Sequence, residues 1–364
     1  MDRSGGSISF AEFMQEALYA PGLGYYSAGA AKFGPAGDFV TAPEIGPVFG
    51  RLVARQIGVV LQSLPGGAVL ELGAGSGSLA VAVLSSLATH GIEPERYLIL
   101  EVSADLAARQ EKLIRAQVPE LYSKVEWLDR LPQHFQGIVI ANEVADALPV
   151  ERFRKRDAAV RQVRVGYDRR GFTWREAEAP AFLTQAVSHI EKTIGHALPD
   201  GFVSEVSAGL PAWIGDIAAC IERGYVFLFD YGLSRREYYA PDRSAGWLRC
   251  HFRHHAHDDP LIHTGIQDLT AWVDFTAVAE AAVAAGLAVA GFVAQSQFVR
   301  NSGISEELQD FERLPTASQI ELSRQVKILT MPGEMGENFK CMGLSRGSVP
   351  DIAAFAIGDR AHGL

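Results

Sequence analysis

The sequence predicts an α/β fold, a mixed and mainly parallel sheet with helices on both faces, and three observations carry that prediction. From residue 68 onward, short apolar runs alternate with amphipathic stretches, the pattern of strands buried on both faces and joined by crossover helices. One such run leads straight into Gly73-Ala74-Gly75-Ser76-Gly77 ahead of a helical segment, and glycines there let the backbone turn tightly beside a ligand. Acidic residues, Glu101 and Asp129, close the next two runs, at the edge where open sheets gather their ligand-binding loops.

The elements follow in order. Ser9 with Glu12 forms a capping box, and Phe10, Phe13, Met14, Ala17 and Leu18 recur at helical spacing up to Pro21-Gly22. Residues 21–47 are rich in Gly, Pro and aromatics, a long loop suited to a lid. Pro47 opens a helix whose buried stripe includes Val48, Phe49, Leu52, Val53, Ile57 and Val60. Strands are expected at 69–72, 97–101, 125–128, 137–141 and 226–230, with helices near 78–89 and 103–117.

Residues between the fourth and fifth strands far exceed what a crossover needs and form an insertion. Within it, 152–174 reads as an antiparallel hairpin around Asp168-Arg169-Arg170-Gly171, and 182–198 and 211–221 read as helices. Asp268 is expected to cap a helix running through Trp272, Phe275 and Val278 to Gly286, and 287–299 and 339–344 to complete the sheet. The resulting division is an N-terminal helical and lid segment (1–66), the cofactor-binding half (67–150), an α+β insertion for substrate or partner (151–222) and the remainder of the catalytic domain (223–364).

Composition narrows the function classes. A chain of 364 residues with 48% hydrophobic and 21% charged content is that of a globular enzyme rather than a disordered protein. The net charge of -10 opposes nucleic-acid binding, which needs a basic surface, and suits a basic or arginine-bearing partner. Cys220, Cys250 and Cys341 are too scattered for a disulfide framework or metal knuckle. No signal peptide and no apolar run of roughly 18 residues is evident, so no membrane role and a cytoplasmic location are expected; a homodimer is left open.

The glycine spacing is Gly-x-Gly-x-Gly, not the Gly-x-Gly-x-x-Gly of dinucleotide folds, and Glu71 stands two residues ahead of it. A carboxylate there serves a cofactor bearing an amine and a sulfonium better than one bearing a pyrophosphate. Glu71, Gly73, Ala74, Gly75 and Gly77 are therefore candidate cofactor residues. Glu101 can accept both ribose hydroxyls with Val102 beside it, and Asp129 can meet the adenine amino group. The fourth strand ends in Asn142-Glu143-Val144-Ala145-Asp146, which brings Asn142 to the cofactor and Glu143 and Asp146 to the reacting centre; the alternative is that Asn142 and Asp146 merely cap a helix.

Stretches 9–26, 37–50, 71–79, 142–150, 229–232, 251–275 and 332–344 together resemble the MidA family, bacterial relatives of the mitochondrial complex I assembly factor 7. The resemblance covers nearly the whole chain. It implies a class I methyltransferase (Rossmann-like) fold, S-adenosyl-L-methionine as cofactor at Glu71, Gly73, Gly75, Gly77 and Glu101, and a substrate pocket at 142–146. The mitochondrial member makes symmetric dimethylarginine on a complex I subunit, so an arginine-bearing protein is the acceptor the resemblance implies.

A guanidinium stays protonated, with a pKa above about 12, so an arginine acceptor needs carboxylates to hold it and take a proton as the methyl arrives. Glu143 is the first candidate and Asp146 the second. Asp38, Thr41 and Glu44 lie in the lid and stand in reserve. Half of the ten histidines fall in His251, His254, His255, His257 and His263; methyl transfer needs no metal, so His254 and His255 are read as substrate or lid contacts and no metal is expected. The competing functions are a methyltransferase acting on a small molecule or on another protein side chain, and a non-catalytic, cofactor-binding assembly chaperone.

Overall fold

The computed structural model describes residues 6–27, 41–253 and 255–364. Its centre is a sheet of β1 (Ala68–Leu72), β2 (Tyr97–Leu100), β3 (Val125–Leu128), β4 (Phe135–Asn142), β5 (Ile221–Leu233), β6 (Ala288–Ala294) and β7 (Phe339–Arg346), in the order β6-β7-β5-β4-β1-β2-β3. The five strands from β3 to β5 run parallel, and β7 is antiparallel to both β5 and β6. The sheet is therefore mixed, as the sequence predicts.

Alternation along each strand builds the two sides of the core. Val69, Ile99, Ile138, Ile140, Phe227 and Phe229 face the helices Pro47–Ser63 and Ser78–Thr89. Leu70, Leu72, Val139, Ala141, Val226 and Leu228 face Leu210–Cys220 and Phe275–Ala284. Phe229 is fully buried, and truncating such a ring to alanine costs about 3–5 kcal/mol.

The N-terminal helix Phe10–Tyr19 has the capping box of Ser9 and Glu12, with Glu12 N–H donating to Ser9 Oγ at 3.1 Å and Ser9 N–H to Glu12 Oε2 at 2.7 Å. Its apolar stripe packs against the insertion. Three departures from the sequence reading occur beyond it. The hairpin turn expected at Asp168-Arg169-Arg170-Gly171 is present and pairs Ala159–Asp168 with Gly171–Glu178, but Glu151–Arg156 is a third strand, because Asp157 and Ala158 both take positive φ (51° and 61°) and make an additional tight turn. Ala158 gives no turn signal in sequence. Ser7–Ser9 adds to this sheet through Ala159–Asp168.

Asp268 does not cap a helix; it opens the strand Asp268–Ala271, which pairs with Leu248–Phe252 in a three-stranded sheet completed by His255–His257. The cap is Asp274, whose Oδ1 accepts from Thr276 and Ala277 N–H at 3.0 and 3.1 Å, and the helix is Phe275–Ala284. Val273, which completes the helical spacing in sequence, instead pairs with Gly232 of β5. Finally, 287–299 is strand only to Ala294 and continues as the helix Gln295–Asn301. Among the described residues no helix is long and apolar enough to cross a membrane.

Candidate active site

β1 delivers the chain into Gly73, Gly75 and Gly77 at φ 63°, 56° and 89°, a left-handed run that costs a residue with a Cβ roughly 1–2 kcal/mol per position. Gly77 is the N-cap of Ser78–Thr89 and its N–H donates to Ala74 O at 2.8 Å. Gly73, Ala74 and Gly75 wall a cleft of about 370 Å³, within the roughly 300–1,000 Å³ of small-molecule sites. Gly77 lies behind that wall, where an added Cβ meets Gln110 at 3.4 Å.

Glu71, Glu101, Val102 and Asn142 also line the cleft. Glu71 is buried and accepts the Tyr97 hydroxyl at 2.6 Å. Burial pushes its carboxyl up to about 7, the Tyr97 bond opposing and the Glu101 charge adding. Glu101 accepts from Ser103 N–H and from Gln110 Nε2, each at 2.9 Å. Val102 is 81% exposed along the rim. From the lid, Thr41 and Glu44 face the cleft, and Glu44 accepts the Ser76 hydroxyl, tying the short helix Ala42–Ile45 to the glycine turn. Asp38 lies outside the described residues.

Asp129 does not join them. Its side chain is 94% exposed beside Arg130, while Leu131 lines the cleft instead; β3 ends at Leu128 and the chain turns outward for two residues before coming back.

The loop after β4 places Glu143 on the wall of the cleft. Glu143 takes φ 54°, a conformation that costs a non-glycine residue about 1–3 kcal/mol and survives where its surroundings hold it. Its N–H donates to Phe229 O at 2.8 Å and its carboxylate accepts from Asn142 Nδ2 at 3.1 Å. Asn142 and Asp146 do not cap a helix, since no helix follows. Glu143 and Tyr26 border both the cofactor cleft and a smaller adjoining cavity, which Asp146, Tyr231, His251, Asp268 and Thr270 complete.

Sequence reasoning missed Asp230, Tyr26, Tyr231 and Asp268 in this constellation. Asp230 is buried near the C-terminal end of β5, and the Tyr26 hydroxyl donates to Asp268 Oδ1 at 3.1 Å. Only the strand-end position of Asp230 carried a signal, the same rule that picked out Glu101. Burial drives the carboxyl groups of Glu143, Asp146 and Asp230 well above the usual carboxylate range, and their mutual repulsion adds to it.

Of the histidine cluster, His251 borders the acidic cavity. His255 is exposed on the edge strand His255–His257 and borders neither cavity, and His254 lies outside the described residues. Among the described residues no three His, Cys, Asp or Glu side chains form a group that could hold a metal.

A strand, a left-handed glycine cradle, a buried acid beneath it and a second acid on the next strand fit a nucleoside cofactor bearing a cationic sulfonium, and the sheet order is that of an S-adenosyl-L-methionine-dependent methyltransferase. Residues 52–293 match the family described as "Putative S-adenosyl-L-methionine-dependent methyltransferase", and the chain belongs to it. The chain is similar to the mitochondrial protein arginine methyltransferase NDUFAF7 of Danio rerio, 28% identical over 369 residues that cover 92% of this chain and 82% of the relative. The Homo sapiens protein of that name is 27% identical over 382 residues, covering 94% and 81%. A crystal structure of a candidate methyl transferase from Burkholderia thailandensis, bound to S-adenosyl-homocysteine, superposes with a TM-score of 0.93 at 38% identity, covering all of this chain and 94% of that one. The chain is an S-adenosyl-L-methionine-dependent methyltransferase, with the α/β fold of that class.

Proposed function

We propose that the methyl acceptor is the guanidinium of an arginine side chain on a partner protein, of respiratory complex I type by the MidA resemblance. The observation that carries the reading is the group of buried carboxyl groups Glu143, Asp146 and Asp230 gathered beside the cofactor cleft. Carboxyl groups held so far from water cost folding free energy, and a cationic acceptor is what offsets it. The names of the relatives, protein arginine methyltransferases, support the same acceptor.

In this reading Glu71, Gly73, Ala74, Gly75, Glu101, Val102 and Asn142 hold the cofactor, with Gly77 setting the helix start behind them. Bound S-adenosyl-L-methionine supplies an electrophilic methyl whose bonding pair stays on sulfur. Glu143 faces both the cleft and the acidic cavity, so it holds the guanidinium against the cleft and takes the N–H proton that leaves as nitrogen gains carbon. Asp146, with Asp230 behind it, keeps the second edge of the guanidinium charged and oriented. Positioning of this kind supplies most of the rate in an in-line displacement.

The test uses tritium-labelled cofactor and proteins from source cells that lack the enzyme, followed by acid hydrolysis and chromatography. Label in methylarginine supports the reading; label in methyllysine, in another side chain or only in small molecules overturns it.

A further inference from the structure

We propose that Gln110 is a positioning residue for the cofactor, an amide clamp that locks the glycine turn to the Glu101 carboxylate in a single orientation. On the helix Ala104–Gln117 the buried residues are Leu106, Gln110 and Ile114, spaced four apart, so Gln110 occupies the middle of an apolar stripe and is 0% exposed. A leucine there would fill the stripe without a polar cost. An amide is tolerated at such a position only when its hydrogen bonds are made.

Here they are made to three different elements. Gln110 Nε2 donates to Gly75 O at 2.9 Å and to Glu101 Oε2 at 2.9 Å, while Oε1 accepts the Trp127 indole N–H at 2.9 Å. The indole is a donor only, so it fixes which end of the amide points at it. The two N–H groups of the other end are then committed to two acceptors, the middle glycine of the cradle and the acid at the end of β2. Gly77 closes the arrangement from the far side, where a Cβ added to it would stand 3.4 Å from Gln110 Cα.

This clamp fixes the spacing between the turn and the strand-end acid, the two parts that a nucleoside must bridge. It also orients Glu101, whose other oxygen is held by Ser103 N–H at 2.9 Å. Replacing the donor by a carboxylate puts repulsion in both places at once, against the Gly75 carbonyl and against Glu101. Protonation of that carboxylate restores one donor.

The test is calorimetric titration of the full chain with S-adenosyl-L-methionine for wild type, Gln110→Glu, Gln110→Leu and Trp127→Phe, at pH 8 and pH 6, with melting temperatures measured alongside. At pH 8 both Gln110 variants are expected to bind about tenfold to a hundredfold more weakly than wild type, the loss of a hydrogen bond to a charged group. At pH 6 the deficit of Gln110→Glu relative to wild type shrinks several-fold, whereas that of Gln110→Leu does not. Trp127→Phe, which frees the amide to turn over, weakens binding by a smaller factor and keeps the proposal testable if the Gln110 variants fail to fold. Unchanged affinity in folded Gln110→Leu or in Trp127→Phe, or a Gln110→Glu deficit that is the same at both pH values, overturns the proposal.

Discussion

Asp230, near the C-terminal end of β5, accepts the backbone N–H of Asp146 at 3.2 Å through the same oxygen that accepts Ala145 N–H at 3.0 Å. One buried acid therefore fixes the backbone that carries two others, Glu143 and Asp146, and its second oxygen holds Tyr231 N–H at 2.9 Å. The strained φ of Glu143 is held in place from both sides, by Phe229 O and by Asp230.

Asp230→Asn keeps the shape but turns an acceptor into a donor facing a backbone N–H. Methyl transfer to the protein acceptor is expected to fall about tenfold to a hundredfold, the scale of one misplaced polar group at a reacting centre. Cofactor affinity should stay within about twofold, because Asp230 does not touch the cleft. Parallel transfer and calorimetric assays check this, and equal losses in both would place Asp230 in the cofactor site instead.

Glu71 titrates near 7 in the ligand-free protein. A cationic cofactor favours its charged form, so affinity should rise between pH 6 and pH 8 and level off above. Glu71→Gln should flatten that profile. A wild-type affinity independent of pH, or a variant that keeps the slope, would contradict the assignment of Glu71 to the cofactor's cationic end.

Burial raises the Glu143 carboxyl above its unfolded value, which is about 4.3. The folded chain then binds a proton the unfolded chain has released, a contribution to stability present below the unfolded value and lost as pH rises through the folded one. Glu143→Gln has no charge to bury, so its melting temperature should exceed that of the ligand-free wild type by a margin that grows from pH 5 to pH 8. Each 1 kcal/mol appears as about 2 °C in a chain of this size. Scanning calorimetry decides it, and a margin that shrinks with pH would show that Glu143 is stabilised as an anion.

Asp129→Ala should leave cofactor affinity within about twofold, since the side chain is solvated. Leu131→Asp and Val102→Asp, which put charge on the cleft wall, should weaken it about tenfold or more. The reverse pattern would restore Asp129 as the adenine contact.

What the sequence made legible follows the range of the interactions involved. The glycine turn, the capping box of Ser9 and Glu12, and the strand-end acid Glu101 are local patterns, and each is where its spacing predicts. Asp268 is the cap the sequence offers, and the pairing of Val273 with Gly232 of β5 moves the helix start to Asp274. Gln110 is invisible for the same reason: its three partners come from separate elements, and in the linear chain it is an ordinary polar residue on an amphipathic helix. The acidic cavity gathers Tyr26, Glu143, Tyr231 and Asp268 from across the chain. Asp129 follows a strand end as the rule for open sheets requires, but its side chain stands in solvent while Leu131 lines the cleft.

The most direct test of the acceptor uses a bisubstrate analogue in which a guanidinoethyl group replaces the transferable methyl, its affinity compared with that of S-adenosyl-homocysteine and of the aminoethyl analogue for wild type and Glu143→Gln. The account predicts that the guanidine compound binds wild type at least about tenfold more tightly than either, a gain of roughly 1.4 kcal/mol, and that Glu143→Gln removes the advantage. A guanidine compound that binds no better than S-adenosyl-homocysteine, or less well than the amine, would contradict it.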